Sequence, residues 1–178
     1  MEDWINQVIL WFHVVIMIFN ASYAFLFKKS FYDYYFLLYS YLLLLHWTFL
    51  SGECFVTYIY KKIEDPTYIA GSILKNEWAL KYPDASVWFE NVIKVQNILS
   101  ILVIYLVARR IRISPYVYVP YILIYEIYFY GIHFFDSRDS KEYKWFEKSI
   151  QYSLILGIIL FLVNYRIPMA NKRRYHFV

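Results

Sequence analysis

The sequence predicts an all-α protein, a polytopic bundle of about five transmembrane helices with a short interfacial helix in an outer loop. Its charged residues are gathered into short patches, separated by long stretches that hold almost none. Hydrophobic residues make up 61% of the chain and aromatic residues 24%, with a mean hydropathy of +0.38. Runs such as 41–45 are apolar throughout and lack the alternation of a transmembrane strand, so helices are the better interpretation.

The stretches with few charges are long enough to cross a bilayer. A hydrocarbon core about 30 Å thick needs roughly 20 apolar residues per helix. The third span is the weakest because Lys94 interrupts it, although a lysine near a helix end can extend to the headgroups. One membrane domain, 1–178, accounts for the chain. The predicted spans are 5–27, 34–57, 90–108, 115–135 and 149–166.

The loop between the second and third spans carries its own helix signals. Residues 65–67, Asp-Pro-Thr, predict a turn, and the apolar residues of 68–82 recur at helical spacing. This pattern predicts a short helix on the membrane surface. Pro83 and Asp84 end it, and a second helix begins near 84–86 and runs into the third span. Ser114 and Pro115 in a similar way mark the start of the fourth, with Pro115 near the first helical position.

The distribution of basic residues predicts the orientation. They are dense in the short segments after spans one, three and five, and sparser in the longer segments of the opposite side, so the positive-inside rule places the first set in the cytoplasm. The amino terminus is then outside or lumenal, and the carboxyl terminus cytoplasmic. Anionic lipid headgroups, and not nucleic acid, are the expected partner of the net charge of +4. The dense set is Lys28, Lys29, Arg109, Arg110, Arg112, Arg166, Lys172, Arg173 and Arg174.

Four ionisable residues within the spans are the candidate site. Such side chains are costly in a membrane and usually face the bundle interior. His46 and Glu53 are spaced by about two helical turns on span two, and Glu126 and His133 have the same spacing on span four. If these spans touch, His46 pairs with Glu126 and Glu53 with His133. Together with His13 and several amide side chains of the outer half, these residues predict a polar cavity that opens to the outer face.

This pattern leaves three functions open. The residues can fix helix packing in a protein with a structural or interaction role. They can line a proton or small-solute pathway, since His and carboxylate groups relay protons. They can also form an acid–base enzyme, isomerase-like, for a lipophilic substrate, because a desolvated Glu beside a His has a raised pKa. Whether the protein is an enzyme is undecided from the sequence.

Other residue types carry weaker signals. Three His and two carboxylates could supply metal ligands, but no close His pair is present, so neither a metal nor a cofactor is predicted. Cys54 is interpreted as a small apolar filler, with a lipidation site or reactive thiol as the alternative. The 21 tyrosines are assigned to lipid-facing and interfacial positions without a special role.

The architecture resembles that of the five-span sterol isomerases of the emopamil-binding type. The segments 53–56, Glu-Cys-Phe-Val, and 130–131, Tyr-Gly, fall roughly where that family has related residues. The close His and Glu spacing of the family's first catalytic helix is absent, because Phe49 stands four residues before Glu53. The resemblance implies intramembrane acid–base chemistry and gives the enzyme alternative a concrete form.

Overall fold

The computed structural model describes residues 2–72, 83–131 and 140–170, and these residues form six helices and no strand. The all-α prediction is therefore confirmed for this part of the chain. The helices are α1 (Glu2–Leu26), α2 (Tyr32–Phe49), α3 (Phe55–Glu64), α4 (Pro83–Arg110), α5 (Pro115–Gly131) and α6 (Lys141–Ala170).

The observed helix starts lie close to the predicted ones. α4 begins at Pro83, just before the predicted start near 84–86, and continues without a break through the predicted third span, with Lys94 exposed on its surface. α5 begins at Pro115, where the missing amide hydrogen costs no helical hydrogen bond. Pro120 follows within the helix, close enough to its start to be tolerated.

The predicted end of span two is wrong. α2 stops at Phe49, and the residues predicted to continue it to 57 form a turn and the first turn of α3. Ser51 and Gly52 both have left-handed backbone angles, with φ of 49° and 86°, which a helix cannot accommodate. The backbone therefore leaves the axis of α2 at this point.

The predicted surface helix over 68–82 is wrong at its start, because residues 68–72 are turns and irregular backbone. Residues 73–82 lie outside the described part of the chain. Within the described part of this loop, the short helix is α3, which lies nearer to α2 than the sequence indicated. The signal at 65–67 marks a turn, in which Asp65 accepts hydrogen bonds from the backbone and side chain of Thr67 at 2.8 and 2.6 Å.

The core lies between α2 and the three long helices that follow α3. α1 packs on α4, α2 and α5 both pack on α6, and α4 contacts α2 and α5. Each of α2, α4, α5 and α6 contributes buried apolar or aromatic side chains to one continuous cluster. Its most buried members include Leu44, Val103, Val107, Tyr121, Tyr128 and Leu154.

Two of the described helices, over Gln7–Leu26 and Lys141–Asn164, are long and apolar enough to cross a membrane. As far as their residues are described, the other three predicted spans do not meet the same criterion of length and composition, so a five-span bundle is not confirmed and stays a prediction.

Candidate functional site

The turn that ends α2 brings His46 next to the segment that carries Glu53 and Cys54. The Gly52 amide donates to the Trp47 carbonyl at 2.8 Å and the Glu53 amide to the Leu50 carbonyl at 3.0 Å, so the chain reverses within a few residues. Ser51 occupies a conformation that costs a non-glycine residue on the order of 1–3 kcal/mol. The turn places Glu53 and Cys54 directly before α3, and neither belongs to α2.

His46 joins the end of α2 to the start of α3. Its Nδ1 lies 2.8 Å from the Leu43 carbonyl, and the Phe55 amide donates to its Nε2 at 3.2 Å. These two bonds fit one neutral tautomer, in which Nδ1 carries the proton and Nε2 accepts. Because both ring nitrogens have these partners, the predicted pairing of His46 with Glu126 is wrong.

Cys54 stands between α2 and α3. It occupies the position before the first residue of α3 and is half-buried. His13 of α1 places its Nδ1 2.7 Å from the Ile9 carbonyl. Burial opposes ionisation of the thiol, but the nearby imidazoles, His13 before His46, lower the pKa of Cys54 to about 6.

Glu53 points in a different direction from Cys54 and holds α3 against the segment that follows it. Its Oε1 accepts from the Lys61 ammonium at 3.2 Å and, through a short hydrogen bond, from the Tyr68 hydroxyl. The side chain is only 9% exposed, and among the described residues its Oε2 has no hydrogen-bond partner. A buried carboxylate of this kind depends on its cationic partner, because an uncompensated charge there is strongly destabilising.

Glu126 is half-buried on α5, and among the described residues no hydrogen bond or ion pair joins it to His46 or Glu53. His133 lies outside the described residues, so the predicted pairing of Glu53 with His133 is not described.

Spans two and four do touch, but tyrosines connect them. Tyr41 of α2 donates its hydroxyl to the Val117 carbonyl of α5 at 2.7 Å. In the opposite direction, Tyr121 donates to the Ser40 carbonyl at 2.9 Å and Tyr128 to the Trp47 carbonyl at 3.3 Å.

For these tyrosines the assignment to lipid-facing positions is wrong. The signal was present in the sequence, since the buried tyrosines of α5 recur at helical spacing. They stand at 118, 121, 125 and 128.

A small polar cavity lies between α1, α2, α4 and α5. Its volume is about 20 Å³, and its polar lining consists of Asn20, Ser40, Gln96, Ser100 and two tyrosine rings. Asn20 is 9% exposed, and its Oδ1 has no hydrogen-bond partner among the described residues. A polar cavity of this size has room for about one water molecule, which would donate to that oxygen.

An ion pair fixes the opposite end of the bundle. Asp33, fully buried at the start of α2, accepts from the Nε of Arg110 at 2.8 Å and from its Nη2 through a second, short bond. The same guanidinium donates from Nη1 to the Phe27 carbonyl at 2.7 Å and the Ala24 carbonyl at 3.2 Å. One arginine therefore joins the end of α1, the start of α2 and the end of α4.

Among the described residues, no group of three or more His, Cys, Asp or Glu side chains is arranged to hold a metal ion. No protein-family model matches the chain, and neither the curated proteins nor the solved structures with which it was compared include a significant match. The fold and the site therefore define the class only as an all-α protein with two helices that can cross a membrane.

Proposed function

We propose that the protein is a multi-pass integral membrane protein of five spans, α1, α2, α4, α5 and α6, with a structural or interaction role. Its buried polar groups stabilise the contacts between helices. The amino terminus is outside or lumenal and the carboxyl terminus cytoplasmic. The bilayer covers the apolar surface, and anionic headgroups contact the basic segments after spans one, three and five.

The exposed apolar surface supports a membrane location. Only 18% of the first candidate span and 17% of the second is buried within the protein. On α1, Trp11, Val15 and Ile18 are each more than 60% exposed. The core helix of a soluble protein would bury such side chains, and contact with lipid removes them from water equally well.

The Arg110–Asp33 ion pair supports the proposed order of spans. It holds the carboxyl ends of α1 and α4 beside the amino end of α2. The basic residues that follow α1 and α4 therefore lie at the same end of the bundle, as an alternation of spans requires. Their shared position fits one cytoplasmic face under the positive-inside rule.

The hydrogen bonds between helices carry the structural role. Tyr41, Tyr121 and Tyr128 connect α2 with α5, and Gln151 of α6 donates to the Thr48 carbonyl of α2 at 2.9 Å. The cavity beside them has room for about one water, which is far less than a lipid substrate needs. These contacts favour a packing role over the pathway and the isomerase-like enzyme.

Topology is tested with the single native cysteine replaced. In a Cys54→Ala background, single cysteines are introduced at Lys28, Lys62 and Arg112 and labelled in intact cells with a membrane-impermeant maleimide. We expect labelling at Lys62 only, with all three labelled after permeabilisation. Labelling at Lys28 in intact cells would overturn the topology.

The structural role is tested with Tyr121→Phe, which removes one interhelical hydrogen bond without creating a cavity. We expect loss of stability in detergent and no change in proton flux across proteoliposomes that contain the protein. A pH-driven flux in the parent that is absent from protein-free vesicles would contradict the structural role and favour the pathway.

A further inference from the structure

We propose that the lipid partner of this protein is a thin bilayer, built from phospholipids with short acyl chains, whose hydrocarbon core is about 22–27 Å thick. A typical hydrocarbon core is about 30 Å thick, and that of a sterol-rich plasma membrane is about 32–33 Å. This lipid preference rests on the proposed function, since it concerns the bilayer that the five spans cross.

The exposed face of α4 is apolar between two exposed cations. Lys94 and Arg109 are both exposed, and every exposed residue between them is aliphatic or aromatic. At a rise of about 1.5 Å per residue, the Cα atoms of these two cations are about 22 Å apart along the helix. The exposed residues between them are Val95, Ile98, Leu102 and Tyr105.

The two cations limit the hydrocarbon region unequally. The Cα–Cβ bonds of a helix tilt toward its amino end, so Lys94 can extend its ammonium away from the apolar face. The side chain of Arg109 starts out toward that face, and its Cα marks a firmer limit. Because the lysine stem adds about 5 Å, the apolar length of this face stays within about 27 Å.

α2 gives an independent limit. It has 18 residues and is therefore about 27 Å long. Irregular backbone lies at both of its ends, over 27–31 and 50–54, with Lys28, Lys29 and Gly52 exposed there. Irregular backbone exposed to lipid does not occur within the hydrocarbon region. The hydrocarbon core beside α2 is therefore no thicker than the length of the helix.

Exposed aromatic side chains stand near the ends of the apolar faces. α2 exposes Tyr35 and Phe49 on either side of Leu42, and the described part of α5 exposes Tyr116 and Tyr130 on either side of three aliphatic residues. In each helix the two aromatic residues are about 21 Å apart along the axis. Tyrosine is enriched at membrane–water interfaces. Aliphatic residues between aromatic and charged ends match hydrocarbon between two headgroup layers, so lipid is the occupant of these faces.

The longer helices are compatible with this thickness. The candidate spans of α1 and α6 have 20 and 24 residues, or about 30 and 36 Å. A long span fits a thin bilayer by tilting, whereas a short helix cannot lengthen to fit a thick one. The short faces of α2 and α4 therefore set the preferred thickness.

The test measures stability in bilayers of graded thickness. The full chain is reconstituted into phosphatidylcholine vesicles with monounsaturated chains of about 14 to about 22 carbons. We expect the midpoint of thermal unfolding to be highest with chains of at most about 18 carbons and to fall with longer ones, because polar groups at the ends of α2 and α4 then enter hydrocarbon. A midpoint that is highest with the longest chains, or that does not depend on chain length, would overturn the proposal.

Lys94→Leu tests whether the charged end of α4 contributes to this limit. The variant extends the apolar face to Asn91, the next exposed polar residue, and should lose less stability in long-chain vesicles than the parent does. Lys141→Leu is the matched control, because this exposed lysine is the first residue of α6, separated from the apolar stretch by the exposed Lys148, and its loss should keep the parent's dependence. Equal dependence on chain length in Lys94→Leu and the parent would contradict the limit set by Lys94.

Two further measurements separate this proposal from the proposed function. Extraction of the protein from the vesicles by alkaline carbonate would overturn both, whereas a carbonate-resistant protein with the expected maleimide labelling and a preference for long chains would overturn only the thin bilayer. A spin label at Leu102→Cys in the Cys54→Ala background should be accessible to oxygen, as lipid contact requires. Spin–spin broadening of that label would show a second copy of the chain on this face and would overturn its assignment to lipid.

Discussion

Replacing Arg110 by Met should destabilise the protein more than any other single change at the end of the bundle where α1 and α4 finish and α2 begins. Asp33 is completely buried, and the guanidinium is the only cation bonded to it among the described residues. Without Arg110, the carboxylate keeps only the Tyr23 hydroxyl at 3.2 Å and the Ser30 amide at 3.3 Å. Leaving such a charge uncompensated costs about 3–5 kcal/mol.

The carboxylate and the guanidinium do not contribute equally. In Asp33→Asn, Arg110 keeps the Ala24 and Phe27 carbonyls and remains 19% exposed, so we expect a smaller loss of about 1–3 kcal/mol. The double variant removes both charges, and it should cost about 2 kcal/mol less than the sum of the single changes.

The free energy of unfolding is measured for the parent, both single variants and the double variant in mixed micelles of increasing denaturing detergent. Arg109→Met is the matched control, because this neighbouring arginine is exposed, and its loss should change stability by less than about 0.5 kcal/mol. Strictly additive losses, or equal losses at Arg109 and Arg110, would refute the account of this ion pair.

Further predictions concern the packing of α2 and the chemistry of the turn. Gly157→Ala places a methyl group 2.7 Å from the Tyr41 ring, which its own hydrogen bond holds in place, and should cost about 1–3 kcal/mol in the same unfolding assay. Tyr121→Phe removes the hydrogen bond to the Ser40 carbonyl and should lower the free energy of unfolding by about 0.6–1.7 kcal/mol in that assay. A loss of stability as large as that of a core truncation would indicate that the change leaves a cavity. Asn20→Leu fills the polar cavity and removes an unpartnered oxygen, so its stability should equal or exceed that of the parent, measured by thermal unfolding. The rate of Cys54 alkylation by iodoacetamide should rise with pH and reach half its maximum near pH 6, because the reactive thiolate forms as pH passes the lowered pKa. A midpoint near pH 8.5 would contradict the effect of the imidazoles on the thiol.

Local sequence patterns predicted several element boundaries well. The starts of α4 and α5 coincide with Pro83 and Pro115, since proline fixes its own φ and lacks an amide hydrogen wherever it stands. The apolar stretches of α1 and α6 were long enough to define helices without reference to any neighbour. These are properties of a residue or a window, and they do not depend on tertiary contacts.

The end of α2 shows where such patterns fail. Glu53 is the only charged residue from Leu50 to Val56, so the span was extended past the end of α2. The left-handed angles of Ser51 and Gly52 end it, and the bonds of His46 to both sides of the turn keep that geometry. An apolar run specifies that residues avoid water, and it does not specify the direction of the backbone.

The same distinction between local sequence pattern and tertiary contact applies to the candidate site. The sequence by itself determined which polar residues fall within apolar stretches, because that depends only on their neighbours along the chain. Only the tertiary structure decided their partners: His46 with the start of α3, Glu53 with Lys61, and Asp33 with Arg110. The last pair is separated by 77 positions, and its members read as ordinary loop charges in the sequence. Pairing is set by which helix ends meet, and that depends on the packing of all the helices together.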